Sequence, residues 1–167
     1  PAAKLARVAP TELTDGKMLR GVVHDPTTRF MDGVAGHAGL FTTTADLARF
    51  CRMILGGGQL DGVRILSAAT VAEMTRVQND GSDRRGLGWD IDTPYRAAPD
   101  EPTLRTRHRG ACFPVGGYGH TGWTGQMLWI DPFSKTFVIF LCNRYVPDAK
   151  DTRLAVYQMH HRIATLA

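Results

Sequence analysis

The clearest hydrophobic pattern in the first half of the chain predicts an amphipathic helix over residues 44–55. Thr43 or Thr44 can cap this helix, Asp46 completes a capping signal, and three glycines end it at 56–58. Its apolar residues recur every three or four positions and define one buried face: Leu47, Phe50, Cys51, Ile54 and Leu55. A second helix is predicted from residue 68 to about residue 76, with Ser67 as its cap.

The second half of the chain predicts strands. Apolar runs over residues 126–130 and 136–142 are joined by a proline-containing turn, which is the pattern of a β-hairpin. A shorter strand is expected over residues 86–91, and a helix is expected to end the chain from about residue 151 to residue 165. The remaining segments lack periodicity. Residues 1–20 are expected to form a loop or a short helix, and residues 93–114 a long irregular excursion.

Residues 118–125, which read Tyr-Gly-His-Thr-Gly-Trp-Thr-Gly, interrupt the strand pattern with three glycines and a histidine. Glycine inside a strand often marks a place where a ligand or another backbone comes close. The stretch therefore predicts the wall of a binding site. The alternative is a hairpin loosened by glycine, with His120 at its rim and no ligand.

Composition and charge narrow the classes of function. Hydrophobic residues make up 43% and charged residues 22% of the 167 positions, as in ordinary globular domains. The net charge is +4, but the basic residues are scattered apart from a cluster at 105–109, so nucleic-acid binding is not favoured. No apolar run approaches the roughly 20 residues of a membrane span. Three widely spaced cysteines imply no disulfide framework.

The usual catalytic motifs are missing. The six histidines show no metal-ligand spacing, and no cofactor-binding motif is present, so neither a metal nor a cofactor is expected. The three serines are Ser67, Ser82 and Ser134, and none lies in a Gly-x-Ser-x-Gly or Ser-x-x-Lys context. A serine nucleophile with its activating base is therefore absent from these residues.

The motifs that remain resemble those of a known family. His120-Thr121-Gly122, followed by Trp123-Thr124-Gly125, is similar to the Lys-Thr-Gly or His-Thr-Gly element of serine β-lactamases and penicillin-binding proteins, in their class C-related branch. Supporting segments follow in the order seen in that branch, at residues 33–41, 43–50, 65–67, 86–89, 129–132 and 143–144. The chain resembles the carboxy-terminal half of such a protein over nearly its whole length.

The resemblance implies an α+β fold of the β-lactamase and transpeptidase type. The carboxy-terminal strands would form an antiparallel sheet with the last helix packed on one face, and the helices near 44–55 and 67–76 would belong to the α-rich side. Strands from the amino-terminal part complete this sheet in relatives. Without them an open strand edge would favour self-association, or pairing with the missing upstream half.

The resemblance also implies roles for individual residues. The Trp123 N–H would be one donor of an oxyanion hole, and the Thr121 hydroxyl would contact a substrate carboxylate or a tyrosine. Gly122 and Gly125 would let the substrate lie against the strand backbone. His120 stands where true class C enzymes commonly carry lysine, which removes a fixed positive charge and favours peptidase-like or esterase-like acyl transfer over antibiotic hydrolysis.

Other site residues follow from the supporting segments. His37 and Ala38 would face the pocket, although His37 could equally be bonded to a neighbouring loop carbonyl. Asn143 would lie at the far end of the pocket. Arg144 is expected at the surface or in a salt bridge.

The family's Ser-x-x-Lys and Tyr-x-Asn elements do not occur in the sequence. The whole of residues 1–167 is therefore interpreted as the carboxy-terminal portion of a serine hydrolase domain. The parent would act on a small-molecule or peptide amide, ester or β-lactam through an acyl-enzyme. The alternative is a catalytically silent, penicillin-binding-like module for binding or interaction. The cellular compartment and the particular substrate stay open.

Overall fold

A four-stranded antiparallel sheet lies at the centre of the protein, with strand order β5-β6-β7-β8. The computed structural model describes residues 2–79, 84–91, 114–147 and 152–166. The sheet strands are β5 (Asp90–Ile91), β6 (Tyr118–Thr121), β7 (Met127–Asp131) and β8 (Thr136–Phe140). The other elements, in chain order, are a 3-10 helix (Ala2–Arg7), β1 (Pro10–Thr14), β2 (Lys17–Arg20), α1 (Pro26–Phe30), α2 (Thr44–Leu55), β3 (Gln59–Leu60), β4 (Val63–Arg64), α3 (Ala68–Thr75) and α4 (Arg153–Leu166).

Helices cover both faces of the sheet because side chains along a strand alternate between its faces. Met127 and Trp129 of β7 pack with Val138 and with Ala164 of α4, which places α4 on one face. Ile130 faces the opposite way, into a second cluster that α2 and α3 cover; its buried members are Cys51, Met53, Ile54, Val71, Trp89, Ile91, Tyr118 and Ile130. The predicted α+β fold, with an antiparallel sheet and a carboxy-terminal helix packed on it, is confirmed.

The two predicted helices of the first half form with the predicted caps. Thr43 Oγ accepts from the backbone N–H of Asp46 at 3.1 Å, and its hydroxyl donates to the Asp46 carboxylate. Ser67 Oγ accepts from the Thr70 N–H at 3.0 Å at the start of α3. The resemblance assigned these helices to an α-rich side of the parent, and here they pack directly on the sheet's second face.

The amino-terminal segment contains a short 3-10 helix, in agreement with the expectation of a loop or short helix, and in addition a hairpin that was not expected. Beyond the 3-10 helix, β1 and β2 form a hairpin that turns at Asp15 and Gly16, both of which have positive φ angles of 51° and 71°. An Asp-Gly pair is a strong signal for such a turn, because both central residues must be left-handed. Helix α1 was also missed, although Pro26 at its first turn and Asp25 as its cap are standard start signals.

The structure describes all of the strand expected over residues 86–91 but little of the excursion expected over residues 93–114. The strand expected over residues 86–91 is shorter, since β5 begins at Asp90, although Arg85 adds an isolated bridge. Almost all of the predicted excursion at 93–114 lies outside the described residues.

Among the residues that are described, no helix has the length and apolarity needed to cross a bilayer. The β8 edge opposite β7 carries no strand from the described segments, and self-association stays a prediction.

Candidate functional site

The His-Thr-Gly element leads from β6 into a tight turn that begins β7. Gly125 N–H donates to the Gly122 carbonyl at 2.9 Å, which closes a β-turn with Trp123 and Thr124 at its centre. Gly122 N–H donates to the Gln126 carbonyl at 2.8 Å and continues the ladder below the turn. The turn projects Trp123 outward, with 63% of its surface exposed.

Three carbonyl oxygens of this turn accept hydrogen bonds from Arg144 and His160. Trp123 O accepts from Arg144 Nε at 2.8 Å, and Thr124 O accepts from the Arg144 backbone N–H at 2.9 Å. Gly125 O accepts from the His160 ring at 2.8 Å. By contrast, no hydrogen bond among the described residues uses the Trp123 amide as a donor. The turn therefore presents a backbone N–H while its carbonyls are occupied.

Gly125 is required by packing. Its φ is +112°, and a Cβ there would lie 2.6 Å from Cys142 Sγ. The Cys142 thiol donates to Gly125 O at 3.1 Å, and burial raises the pKa of this thiol, so it remains a donor. A side chain at Gly125 would displace the thiol and strain the backbone.

An open cavity of about 1470 Å³ lies beside the turn. One wall is the amino-terminal segment up to the start of α1, the second is the loop over residues 35–43, and the third is formed by the β6–β7 turn together with residues 141–143. Five residues of the predicted site line this cavity: His37, Ala38, Gly122, Trp123 and Asn143. The other three predicted site residues, His120, Thr121 and Gly125, are not among its lining residues.

The His37 ring contacts a carboxylate and a hydroxyl, and not the loop carbonyl that one of the two alternatives expected. It lines the cavity, and its Nε2 lies 3.3 Å from Asp25 Oδ1 and 3.2 Å from Thr28 Oγ. The Thr28 hydroxyl is also 3.1 Å from the His37 carbonyl, which fastens the loop to α1. The Thr28 N–H lowers the pKa of Asp25, and His37 adds to this effect. Ala38 follows in a left-handed conformation, with φ of +56°, and carries the loop along the cavity.

His120 lies away from the cavity, on the sheet face of α2. Its neighbour across the strands is Leu128, and its side chain is exposed. Arg85 Nη1 lies 3.1 Å from His120 Nε2, and His120 Nδ1 lies 2.7 Å from the Thr121 carbonyl. Because a guanidinium only donates, Nε2 is the acceptor and Nδ1 carries the proton. Arg85 also pairs with Asp90 of β5, which links the His-Thr-Gly strand to the neighbouring strand.

Asn143 lines the cavity but its amide is engaged. Nδ2 donates to the carbonyls of Pro10 and Thr11 at 2.5 and 2.7 Å, and Oδ1 accepts from the Tyr145 N–H at 3.0 Å. The side chain thus fastens the β1–β2 hairpin to the end of the sheet and closes one side of the cavity.

Arg144 and Tyr145 are the residues whose importance sequence reasoning missed. Arg144 was expected at the surface or in a salt bridge; the surface position is wrong, because only 8% of the residue is exposed. Tyr145 OH accepts from the Trp123 indole N–H at 2.7 Å. Their position directly after Asn143, at the exit of β8, was the available signal. Within the described segments, no three His, Cys, Asp or Glu side chains converge as a metal site.

Comparison with known proteins identifies the family. A family model described as beta-lactamase matches residues 1–161. A protein of Escherichia coli O157:H7 named "Putative D-alanyl-D-alanine carboxypeptidase" is 33% identical over 156 residues, covering 84% of this chain and 34% of the relative. A protein of the same name from Salmonella paratyphi B is 36% identical over 127 residues, covering 75% of this chain and 27% of the relative.

A solved structure shares the fold. The crystal structure of a beta-lactamase from Mycobacterium bovis superposes with a TM-score of 0.54 at 25% identity, covering 77% of this chain and 45% of the other. The chain spans about a third of the length of the curated relatives named here. It belongs to the beta-lactamase family.

Proposed function

We propose that this chain supplies one wall of the active site of a serine acyl hydrolase, and that the nucleophilic serine lies in a part of the protein outside these 167 residues. The observation that carries the proposal is the Trp123 amide, which lies in a turn that borders the cavity and makes no hydrogen bond among the described residues. Family membership supports hydrolase chemistry of this class.

In the proposed reaction the serine Oγ attacks the substrate carbonyl carbon, and a base takes the hydroxyl proton. The carbonyl oxygen becomes an oxyanion, which accepts hydrogen bonds from the Trp123 N–H and from the N–H of the serine. Donors placed 2.7–3.1 Å from the oxyanion are worth roughly 3–4 kcal/mol each. Collapse of this intermediate breaks the scissile bond, and the leaving amine or alcohol departs with a proton. Water then hydrolyses the acyl-enzyme to the free acid and restores the serine.

The other predicted residues shape the site in this proposal. Gly122 would let the substrate approach the strand backbone beside the Gln126 side chain, whose Oε1 would lie 2.5 Å from a Cβ at this position, and Gly125 permits the turn that follows. His37, Ala38 and Asn143 line the cavity and would contact the substrate. Thr121 would contact a substrate carboxylate. His120, fixed by Arg85, takes the place of the family's lysine without its permanent ammonium charge.

The substrate class is proposed from the relatives. Two of them carry the name of a D-alanyl-D-alanine carboxypeptidase, which favours a peptide with a carboxy-terminal D-alanine over an ester or a β-lactam. A second candidate is a silent binding module. The exposed Trp123 side chain, held in place by Tyr145, favours it, because a rigid aromatic residue suits ligand binding as well as catalysis.

The deciding experiment is acyl labelling of the full protein that contains this chain. A fluorescent penicillin or a fluorophosphonate should form a one-to-one covalent adduct, and peptide mapping should place it on the serine of a Ser-x-x-Lys element outside these residues. Replacing that serine by alanine should abolish the adduct, and the 167-residue chain alone should remain unlabelled. A full protein that binds D-alanyl-D-alanine peptides without forming an adduct or releasing D-alanine would support the binding module instead.

A further inference from the structure

We propose that Arg144 is a positioning residue, which holds the Trp123 turn in the conformation that the oxyanion needs. The inference rests on the proposed function, since it assigns a role within the same site. Arg144 lies outside every family element identified in the sequence as contacting substrate, and it is not among the residues that line the cavity. Its contribution would therefore act through the turn.

Arg144 fixes two successive peptide groups of the turn. Its side chain donates from Nε to Trp123 O at 2.8 Å, and its backbone N–H donates to Thr124 O at 2.9 Å. The peptide group between Trp123 and Thr124 is the central one of the turn. This central group is the one that reverses direction between type I and type II turns, so a hydrogen bond to its carbonyl selects one of the two states.

The direction of that carbonyl affects the proposed chemistry. Trp123 O points to Arg144, which is behind the cavity wall, while Trp123 itself lines the cavity. If the peptide group reversed, the carbonyl oxygen would move toward the cavity and its partial negative charge would oppose an oxyanion nearby. Arg144 prevents this with a buried, charge-assisted hydrogen bond, which is among the stronger kinds.

Arg144 also holds the Trp123 side chain. Its Nη2 donates to Tyr145 OH at 2.9 Å, and the same oxygen accepts from the Trp123 indole N–H at 2.7 Å. The guanidinium carbon lies 4.4 Å from the Tyr145 ring centroid and 5.3 Å from that of Trp123, within the range of a cation–π contact. Arg144 thus holds the backbone of Trp123 directly and the indole of Trp123 through Tyr145.

These contacts need the planar fork of arginine. Nε and Nη2 point in fixed, different directions, toward the Trp123 carbonyl and the Tyr145 hydroxyl respectively. A lysine ammonium keeps the charge but cannot donate in both directions from one rigid plane while stacking on two rings. Arg144→Lys therefore tests geometry at constant charge.

The experiment compares Arg144→Lys in the full protein with Arg49→Lys, a control at an exposed ion pair on α2. Single-turnover acylation by a chromogenic ester should be slower by about 10- to 100-fold in Arg144→Lys, comparable with loss of a good part of one oxyanion donor. KM should change by no more than about twofold, because substrate contacts remain. The ¹⁹F resonance of 5-fluorotryptophan at Trp123 should shift, and Arg49→Lys should match the unmodified protein in all three measurements.

The outcomes separate the two proposals. If the unmodified protein forms no acyl-enzyme, the proposed function fails and the positioning role fails with it. If the unmodified protein is acylated and Arg144→Lys is acylated at the same rate, only the positioning role is overturned. If Arg144→Lys does not fold, Tyr145→Phe replaces it, since it removes the oxygen that joins Arg144 to the indole. For Tyr145→Phe, a drop in the acylation rate that is smaller than the one expected for Arg144→Lys, with unchanged KM, then supports the positioning role. An unchanged acylation rate overturns it.

Discussion

The indole of Trp129 lies directly against the backbone of Gly119, its partner across strands β6 and β7. A Cβ at Gly119 would lie 2.5 Å from Trp129 Cε3 and would also collide with the Leu128 carbonyl. Trp129 is 2% exposed and belongs to the core beneath α4. The sequence suggested that glycine in this strand marks the approach of a ligand, and at Gly119 the approaching group is instead a core tryptophan.

Gly119→Ala should therefore destabilise the protein by forcing the indole out of its place. Overpacking of this kind costs about 1–3 kcal/mol, and the rigid carbonyl contact places this site toward the upper end. The free energy of unfolding in urea measures it. Gly36→Ala is the matched control, because a Cβ there meets nothing within 4 Å, and its stability should change by no more than about 0.5 kcal/mol. Equal effects of the two substitutions would contradict the packing account.

His160 of α4, which contacts the turn at Gly125, should make the free energy of unfolding depend on pH. His160 is fully buried and lies 2.8 Å from Gly125 O, and burial lowers its pKa below the ordinary value of 6.5, although the hydrogen bond acts in the opposite direction. Between the folded-state pKa and 6.5, the unfolded chain binds a proton that the folded chain does not. Stability should therefore fall as pH drops below 6.5, by up to about 1.4 kcal/mol per pH unit, and level off below the folded-state pKa.

Two variants separate the charge from the hydrogen bond at His160. His160→Gln keeps an N–H donor for Gly125 O and removes the titration, so this part of the pH dependence should disappear. His160→Phe removes both the donor and the titrating group. Its free energy of unfolding should depend on pH as weakly as that of His160→Gln, and should be lower at every pH. Urea unfolding between pH 5 and pH 8 provides the curves. An undiminished slope in both variants would assign the pH dependence to other groups.

The parts of the fold that the sequence predicted are those set by local patterns. Helix α2 followed from its capping threonine and apolar spacing, and the β7–β8 hairpin followed from alternation around a turn, because each depends on neighbours in the chain. Arg144 and Asn143 could not be interpreted in this way. Their partners lie 21 and more than 130 positions away, and only the packed sheet brings them together. The Asp15-Gly16 turn was local and predictable, and was missed because the strands around it are short and contain a single buried residue, Thr11.

Asn143 provides a test of the contact between the amino-terminal hairpin and the sheet. Its amide donates to the carbonyls of Pro10 and Thr11, so Asn143→Ala should leave two acceptors without a donor, at a cost of about 1–3 kcal/mol. Asn143→Asp should cost more, because a carboxylate would face two carbonyl oxygens. Hydrogen exchange should report faster opening over residues 10–20 in the order Asp, Ala, wild type. The Asp variant behaving like the wild type would exclude the donor role of the amide.

The Trp123 amide can be removed without removing the turn, and this gives the sharpest test of its proposed role. Trp123 occupies the second position of the Gly122–Gly125 turn, where proline is favoured. Trp123→Pro deletes the N–H, whereas Trp123→Ala keeps the N–H and loses the same indole contact with Tyr145. The comparison of the two variants therefore isolates the backbone donor.

In the full protein, acylation by Trp123→Pro should be slower than by Trp123→Ala by about 10²- to 10³-fold, the usual effect of one oxyanion-hole donor. Substrate affinity should differ much less, because the oxyanion exists only in the transition state and the intermediate that follows it. Stopped-flow acylation rates and circular dichroism of both variants make the comparison on folded protein. Equal rates would mean that the Trp123 amide stabilises no charge. The turn would then belong to a binding surface, whose affinity would depend on the tryptophan side chain that both variants lack.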